Sequence, residues 1–290
     1  MSRPRASDLF VVILAAVAFA TSSPLAKSAV GIPPLLIAAG RCAVAAAAIA
    51  VARPRETVAA IGALGSKHRG AMIIAGLLLA GHFALFLWGL VSTSLPAAVA
   101  LVSLEPLSVV LAAWIAFRIR PTRGEAAGVV IASVGALVVA SGAGSGEHRV
   151  IGDVMVLGAV VLFGAYVAFA RGLRESMPVL PYAAAVYGVS ALALAPFALR
   201  GDLGVGAPTW SWIAVVALGL VPTLVGHTLV QSAARRLSPA IVGLVSPGET
   251  VGSLVIGAIF LRAIPSGKEA AGTALVLAGA TVAVLGGRKA

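Results

Sequence analysis

The chain has 290 residues, 60% of them hydrophobic and 11% charged, with a mean hydropathy of +1.06. That mixture excludes an ordinary soluble domain, which needs polar groups over its exterior, and suits a bilayer, where the exterior is itself apolar. The net charge of +11 does not mark a nucleic-acid binder, because the basic residues fall in short connections without a basic stripe or interleaved aromatics.

A membrane-spanning helix needs about 20 mostly apolar residues. Punctuation by charges, Pro and Gly predicts ten of them, over residues 9–28, 32–52, 70–92, 96–117, 124–142, 150–171, 180–199, 210–233, 239–261 and 267–287. The segments are too long and too uniformly apolar for barrel strands, so an all-α membrane protein is expected. Arg3 and Arg5 before an apolar run resemble a secretory signal. The run continues past Pro24 to Lys27, however, and aligns with an internal segment beginning at Asp153, so it is expected to be the first span.

Span 2 carries Arg41, deep for a guanidinium; structural pairing, with Glu105 or Glu249 as a partner, competes there with contact to a substrate carboxylate. It also holds Cys42, the only cysteine, which excludes disulfides. Span 3 brings His82, Phe86 and Trp88, with Phe83 beside them. Span 4 carries Glu105-Pro106 near its centre, and span 6 carries Phe163 and Tyr166. Span 8 brings Pro222, His227 and Gln231, and span 9 carries Ser246-Pro247-Gly248-Glu249. A carboxylate at mid-bilayer costs roughly 3 kcal/mol on insertion scales, so each acid either lines a polar pathway or caps backbone freed by its proline. The histidines either face a cavity or act as interhelical glue. Candidate substrate-binding residues are therefore His82, Phe86, Trp88, Glu105, Tyr166, His227, Gln231 and Glu249. Trp114, Trp210 and Trp212 fall at span ends and are expected to be interfacial anchors. Pro24, Pro222 and Pro247 interrupt their spans.

The second half echoes the first. Residues 96–103, Pro-Ala-Ala-Val-Ala-Leu-Val-Ser, match residues 239–246, Pro-Ala-Ile-Val-Gly-Leu-Val-Ser; Gly81-His82 recurs as Gly226-His227, and Asp8 as Asp153, all 143 to 145 positions apart. This divides the chain into a first unit, 1–146, and a second, 147–290, with five spans each. Five is odd, so the second unit enters from the opposite face and the repeats are inverted, a construction that places a substrate site where the halves meet. With the N-terminus inside, 15 of the 21 Lys and Arg residues fall on the inner side and 5 on the outer, which predicts both termini cytoplasmic. No zinc motif, nucleophile elbow or phosphate-binding loop is present, so no enzyme, metal or cofactor is expected.

The paired blocks Pro96 to Gly128 and Pro239 to Gly272, each coupling a small-residue helix with a Glu/Pro element to a Gly-rich final helix, resemble the drug/metabolite transporter superfamily, in particular its ten-span EamA-type members. Within it the chain looks closest to YddG-type amino-acid exporters of bacterial inner membranes. The resemblance implies a basket with a central cavity lined by spans 1, 3, 4, 6, 8 and 9. It also implies export of amino acids or related small metabolites by alternating access, with efflux of hydrophobic drugs or organic cations as the alternative. The expected partners are a small-molecule substrate and the lipid bilayer, with no nucleic acid; the sequence does not fix the oligomeric state and is compatible with a monomer. Span 1 lacks the mid-membrane acid of four-span multidrug exporters, and the cavity lacks the Lys/Arg cluster of phosphate-sugar exchangers.

Overall fold

The computed structural model describes residues 5–93, 98, 101–102, 104–142, 150–173, 176–261 and 266–286. Pro96, Ser103, Arg149, Arg262 and Pro265, used in reading the repeat and the charge bias, lie outside them. Ten principal helices follow in order: α1 (Ala6–Ser28), α2 (Pro34–Ala52), α3 (Ser66–Ser92), α4 (Glu105–Phe117), α5 (Arg123–Gly142), α6 (Val150–Gly172), α7 (Val179–Ala198), α8 (Thr209–Ala234), α9 (Val245–Leu261) and α10 (Gly267–Gly286). No strand occurs among the described residues. Six of the helices, α1, α2, α3, α6, α7 and α8, are long and apolar enough to cross a membrane. Short helices Pro54–Gly62 and Pro239–Gly243 precede α3 and α9.

Proline explains where the helices break. Without an N–H, Pro fits a first turn best and disturbs a helix interior. Accordingly Pro106 is the second residue of α4 and Pro247 the third of α9, after turns at Leu104 and Leu244. Glu105 therefore opens a helix, within one turn of the backbone N–H groups that a helix start leaves unpaired, rather than sitting mid-helix. α1 breaks at Thr21, whose hydroxyl donates to the Ala18 carbonyl at 2.7 Å, and Pro24 falls in the turn after the break. Within α8 the stretch Gly219–His227 around Pro222 widens into a π-helix, and the Thr223 hydroxyl donates to the Leu218 carbonyl (2.7 Å) that Pro222 cannot reach.

The packing follows a two-fold exchange of halves. α2 packs on α7 and α5 on α10, each on its repeat mate, while α3 on α6 is matched by α8 on α1, and α4 on α6 by α9 on α1. Paired residues fix the directions. Along α5 and α10, Gly124 faces Gly286, Gly128 faces Ala283, Ala132 faces Gly279 and Gly135 faces Val276, so one helix descends as the other climbs. The approach is close because the facing residues are small: a Cβ on Gly124 would stand 2.5 Å from the Gly286 Cα. α1 and α9 run parallel, Ala16 on Gly248 and Ala20 on Gly252. The architecture is thus all-helical, with two inverted five-helix repeats.

Asp8 and Asp153, one repeat apart, each lie in the first turn of their half's opening helix, a favourable place for a negative charge. Each ties to the other half: Asp8 meets Arg236 at 3.4 Å, and Asp153 accepts a hydrogen bond from Thr93 at 2.8 Å. Because the halves are inverted, these two ties sit at opposite ends of the bundle.

Candidate functional site

The repeat mates converge at the centre. His82 of α3 and His227 of α8 lie 6.1 Å apart, ring centre to ring centre. Each meets an aromatic ring from the opening helix of the other half: His82 lies 5.3 Å from Phe163 of α6, and His227 lies 4.7 Å from Phe19 of α1. Phe19 and Phe163 themselves meet edge-on at 6.4 Å. Phe83 (5.0 Å) and Tyr166 (5.9 Å) complete the surround of His227, and Phe86 stacks on His82 at 6.2 Å with planes 7° apart. Small residues let the helices this close; a Cβ on Gly226 would stand 2.5 Å from the Phe19 ring.

The two histidines are not chemically equivalent. His82 Nδ1 lies 2.9 Å from the Ala159 carbonyl, and since a carbonyl only accepts, Nδ1 carries the proton and Nε2 is the free acceptor of the neutral ring. His227 Nδ1 is buried and has no partner among the described residues. One turn on, Gln231 donates from Nε2 to the Tyr166 hydroxyl at 2.5 Å and to Tyr187 at 3.5 Å, while its Oε1 has no partner. Either orientation of that amide leaves one polar atom unpaired. An unmet buried polar atom costs about 1–3 kcal/mol, and two adjacent ones on one helix face are the kind of defect that a bound ligand removes.

Arg41 lies against this cluster and is 1% exposed. Its Nε donates to Thr223 Oγ1 at 2.8 Å and its Nη1 to Ser22 Oγ at 3.5 Å, and the guanidinium lies 4.1 Å above the Phe83 ring. The structural pairing anticipated for Arg41 thus uses hydroxyls and a ring, with Glu249 at Coulombic range rather than in contact. Thr223 passes the load to Leu218, and its own carbonyl accepts from the Tyr187 hydroxyl at 3.1 Å. The π-segment of α8 and Arg41 therefore hold each other in place.

A second polar group joins the halves beside the first. Ser246 of α9 donates to the Glu105 carboxylate of α4, and Glu249, one turn on in α9 and half-buried, interacts electrostatically with Glu105. Of the eight candidates, His82, Phe86, Tyr166, His227 and Gln231 come together in one buried cluster, and Glu105 with Glu249 forms the neighbouring acidic group. Trp88 does not join them: it is 47% exposed, six residues beyond His82 and so on the opposite face of α3. Trp114 and Trp210 are likewise exposed, as anchors should be. Phe19, Tyr187 and Thr223 escaped the sequence reading. Phe19 had a signal, since it stands 144 residues before Phe163, within the repeat spacing. Tyr187 and Thr223 had none, as their roles arise from the π-segment.

The cluster offers unpaired polar atoms, a fixed cation and aromatic walls, and it is closed to both faces: Arg41, Tyr166 and Gln231 are 1% exposed or less. Among the described residues no group of three His, Cys, Asp or Glu side chains is placed to hold a metal ion.

Comparison with known proteins agrees with this arrangement of halves. The model of the EamA-like transporter family matches twice, over residues 7–141 and 150–285. A solved crystal structure, described only as a protein, superposes with a TM-score of 0.82 at 23% identity over 97% of this chain and 98% of its own, a likeness of fold alone. No match was found among the curated proteins.

Proposed function

The chain belongs to the EamA-like transporter family, a family of membrane transporters of small substrates, and from that premise we propose that it exports amino acids and related small metabolites. The finer reading is a ten-span carrier of the YddG type in a bacterial inner membrane, with both termini cytoplasmic and units 1–146 and 147–290 rocking against each other. The observation that carries it is the pair of unpartnered buried polar atoms, His227 Nδ1 and Gln231 Oε1, beside the Arg41 guanidinium at the meeting point of the halves. Arg41 complements a carboxylate, Gln231 Oε1 and Glu249 complement an ammonium group, His227 offers a ring nitrogen to either, and Phe19, Phe83 and Phe163 provide an apolar wall for a side chain.

Alternating access needs one closure at each face, opened in turn. The Asp8–Arg236 and Asp153–Thr93 ties fill that role, the first on the cytoplasmic side and the second on the outer side. With both formed, the site is sealed, which is the closed state described above.

Liposomes containing the purified protein and loaded with a panel of labelled amino acids test the proposal. Saturable efflux that falls at least tenfold in kcat/KM on Gln231→Leu is expected; no flux above empty liposomes across the panel would remove it. One observation favours a second reading, efflux of hydrophobic organic cations: the Glu105–Glu249 pair lies beside the ring cluster, and such rings attract cations. Cations that are themselves transported while amino acids are not would establish that reading instead.

A further inference from the structure

A groove of about 800 Å3 runs between α4 and α6 and lies apart from the central cluster. The two helices touch at Ser108, which packs on Gly164, and again where the Phe117 ring approaches Gly172. Between these contacts the facing residues, Ala112, Ala116, Ala165 and Ala168, are too small to fill the gap, so a channel remains along the helices. Its wall is apolar except at Ser108 and at one end, where Lys67 and His68 at the start of α3 close it. Lys67 is exposed, His68 bonds Ser176 at 3.2 Å, and no acidic residue lines the groove among the described residues.

The dimensions identify an occupant. From Leu104 to Phe117 the groove follows α4 for about 20 Å at 1.5 Å per residue. One leaflet of hydrocarbon is about 15 Å deep, half of a core of about 30 Å. A largely apolar slot, a few ångströms longer than one leaflet is deep and cationic at its mouth, matches an extended acyl chain with a negative headgroup. We propose that this groove binds one acyl chain of an anionic phospholipid, with Lys67 at the headgroup. The site is independent of the transported substrate. With the termini cytoplasmic, the lipid belongs to the inner leaflet, whose surface is negative, and one Lys near such a surface favours an anionic lipid about fivefold.

Native mass spectrometry of the delipidated protein, titrated with phosphatidylglycerol and phosphatidylcholine of equal chain length, tests the proposal. The parent binds phosphatidylglycerol about fivefold more tightly. Lys67→Gln binds both equally, and Ala112→Phe, which fills the slot, loses one bound lipid of either kind. Equal affinity in the parent, a retained preference in Lys67→Gln, or displacement of the lipid by a transported amino acid would overturn it. Should Ala112→Phe fail to fold, the parent labelled with a phospholipid carrying a photoreactive acyl chain gives the same decision. Adducts concentrated on 104–117 and 160–173 support the site, and adducts spread evenly around the bundle refute it.

Discussion

Thr223 is the residue on which the centre turns. Its hydroxyl accepts from Arg41 and donates to the Leu218 carbonyl that Pro222 leaves open, so two buried groups depend on one oxygen. Thr223→Val is expected to destabilise the protein by about 2–4 kcal/mol, the sum of an uncompensated carbonyl and a loosened buried charge. Thr223→Ser should stay close to the parent, and thermal unfolding in detergent compares them; a loss in Thr223→Ser with none in Thr223→Val would assign the role to the methyl group and contradict the hydrogen-bond account. At Tyr166, removal of the hydroxyl leaves the Gln231 amide donor only its long contact to Tyr187, so Tyr166→Phe is expected to cost about 1–2 kcal/mol and to raise KM for substrate. Much of this cluster was legible in the sequence because it came in repeated pairs: His82 with His227 stood out as polar residues in apolar runs at one spacing. Trp88 misled because composition, not helix face, suggested it. Thr223 and Tyr187 stayed hidden because a π-turn and its carbonyls leave no mark in residue types.

The α5–α10 pair shows how an element is specified by what it lacks. Gly128 and Gly279 lie against the opposing backbone near Ala283 and Ala132, so a side chain there must separate the helices. Gly128→Leu is expected to lower stability by about 1–3 kcal/mol or more. Gly188 in α7 has open space around its Cα, and Gly188→Ala should instead stabilise, by up to about 1 kcal/mol from helix propensity. Melting temperatures of the two variants must therefore move in opposite directions. Hydropathy located the helices, six of which are long and apolar enough to cross a membrane among the described residues, and the repeat gave their order. Their breaks were only half readable, since Pro106 and Pro247 announced an interruption but not that a new helix starts one or two residues before each. The end ties differ in strength for the same kind of reason. Asp8–Arg236 is an ion pair screened by water at its exposed Arg236 end and worth about 1 kcal/mol, whereas Asp153–Thr93 is a part-buried, charge-assisted bond worth about 1.5–3 kcal/mol. On the orientation proposed above, Asp153→Asn is thus expected to open its end of the bundle more than Asp8→Asn opens the other. Labelling of single cysteines at the two mouths measures both shifts, and a larger effect at Asp8 would contradict the assignment.

At the scale of the molecule, the account rests on one site shared by two inverted halves. The odd number of spans per repeat already required inversion, and the opposed glycine pairs of α5 and α10 agree with it. What the sequence left open was how closely the halves meet, because packing depends on small residues whose contacts no periodicity records. The most direct measurement is labelling of a single cysteine, His227→Cys in a Cys42→Ala background, with a membrane-impermeant thiol reagent applied to each face of oriented vesicles in turn. The account predicts modification from either face, with a transported amino acid protecting against both. Modification from one face only, or labelling indifferent to every transported solute, would contradict it.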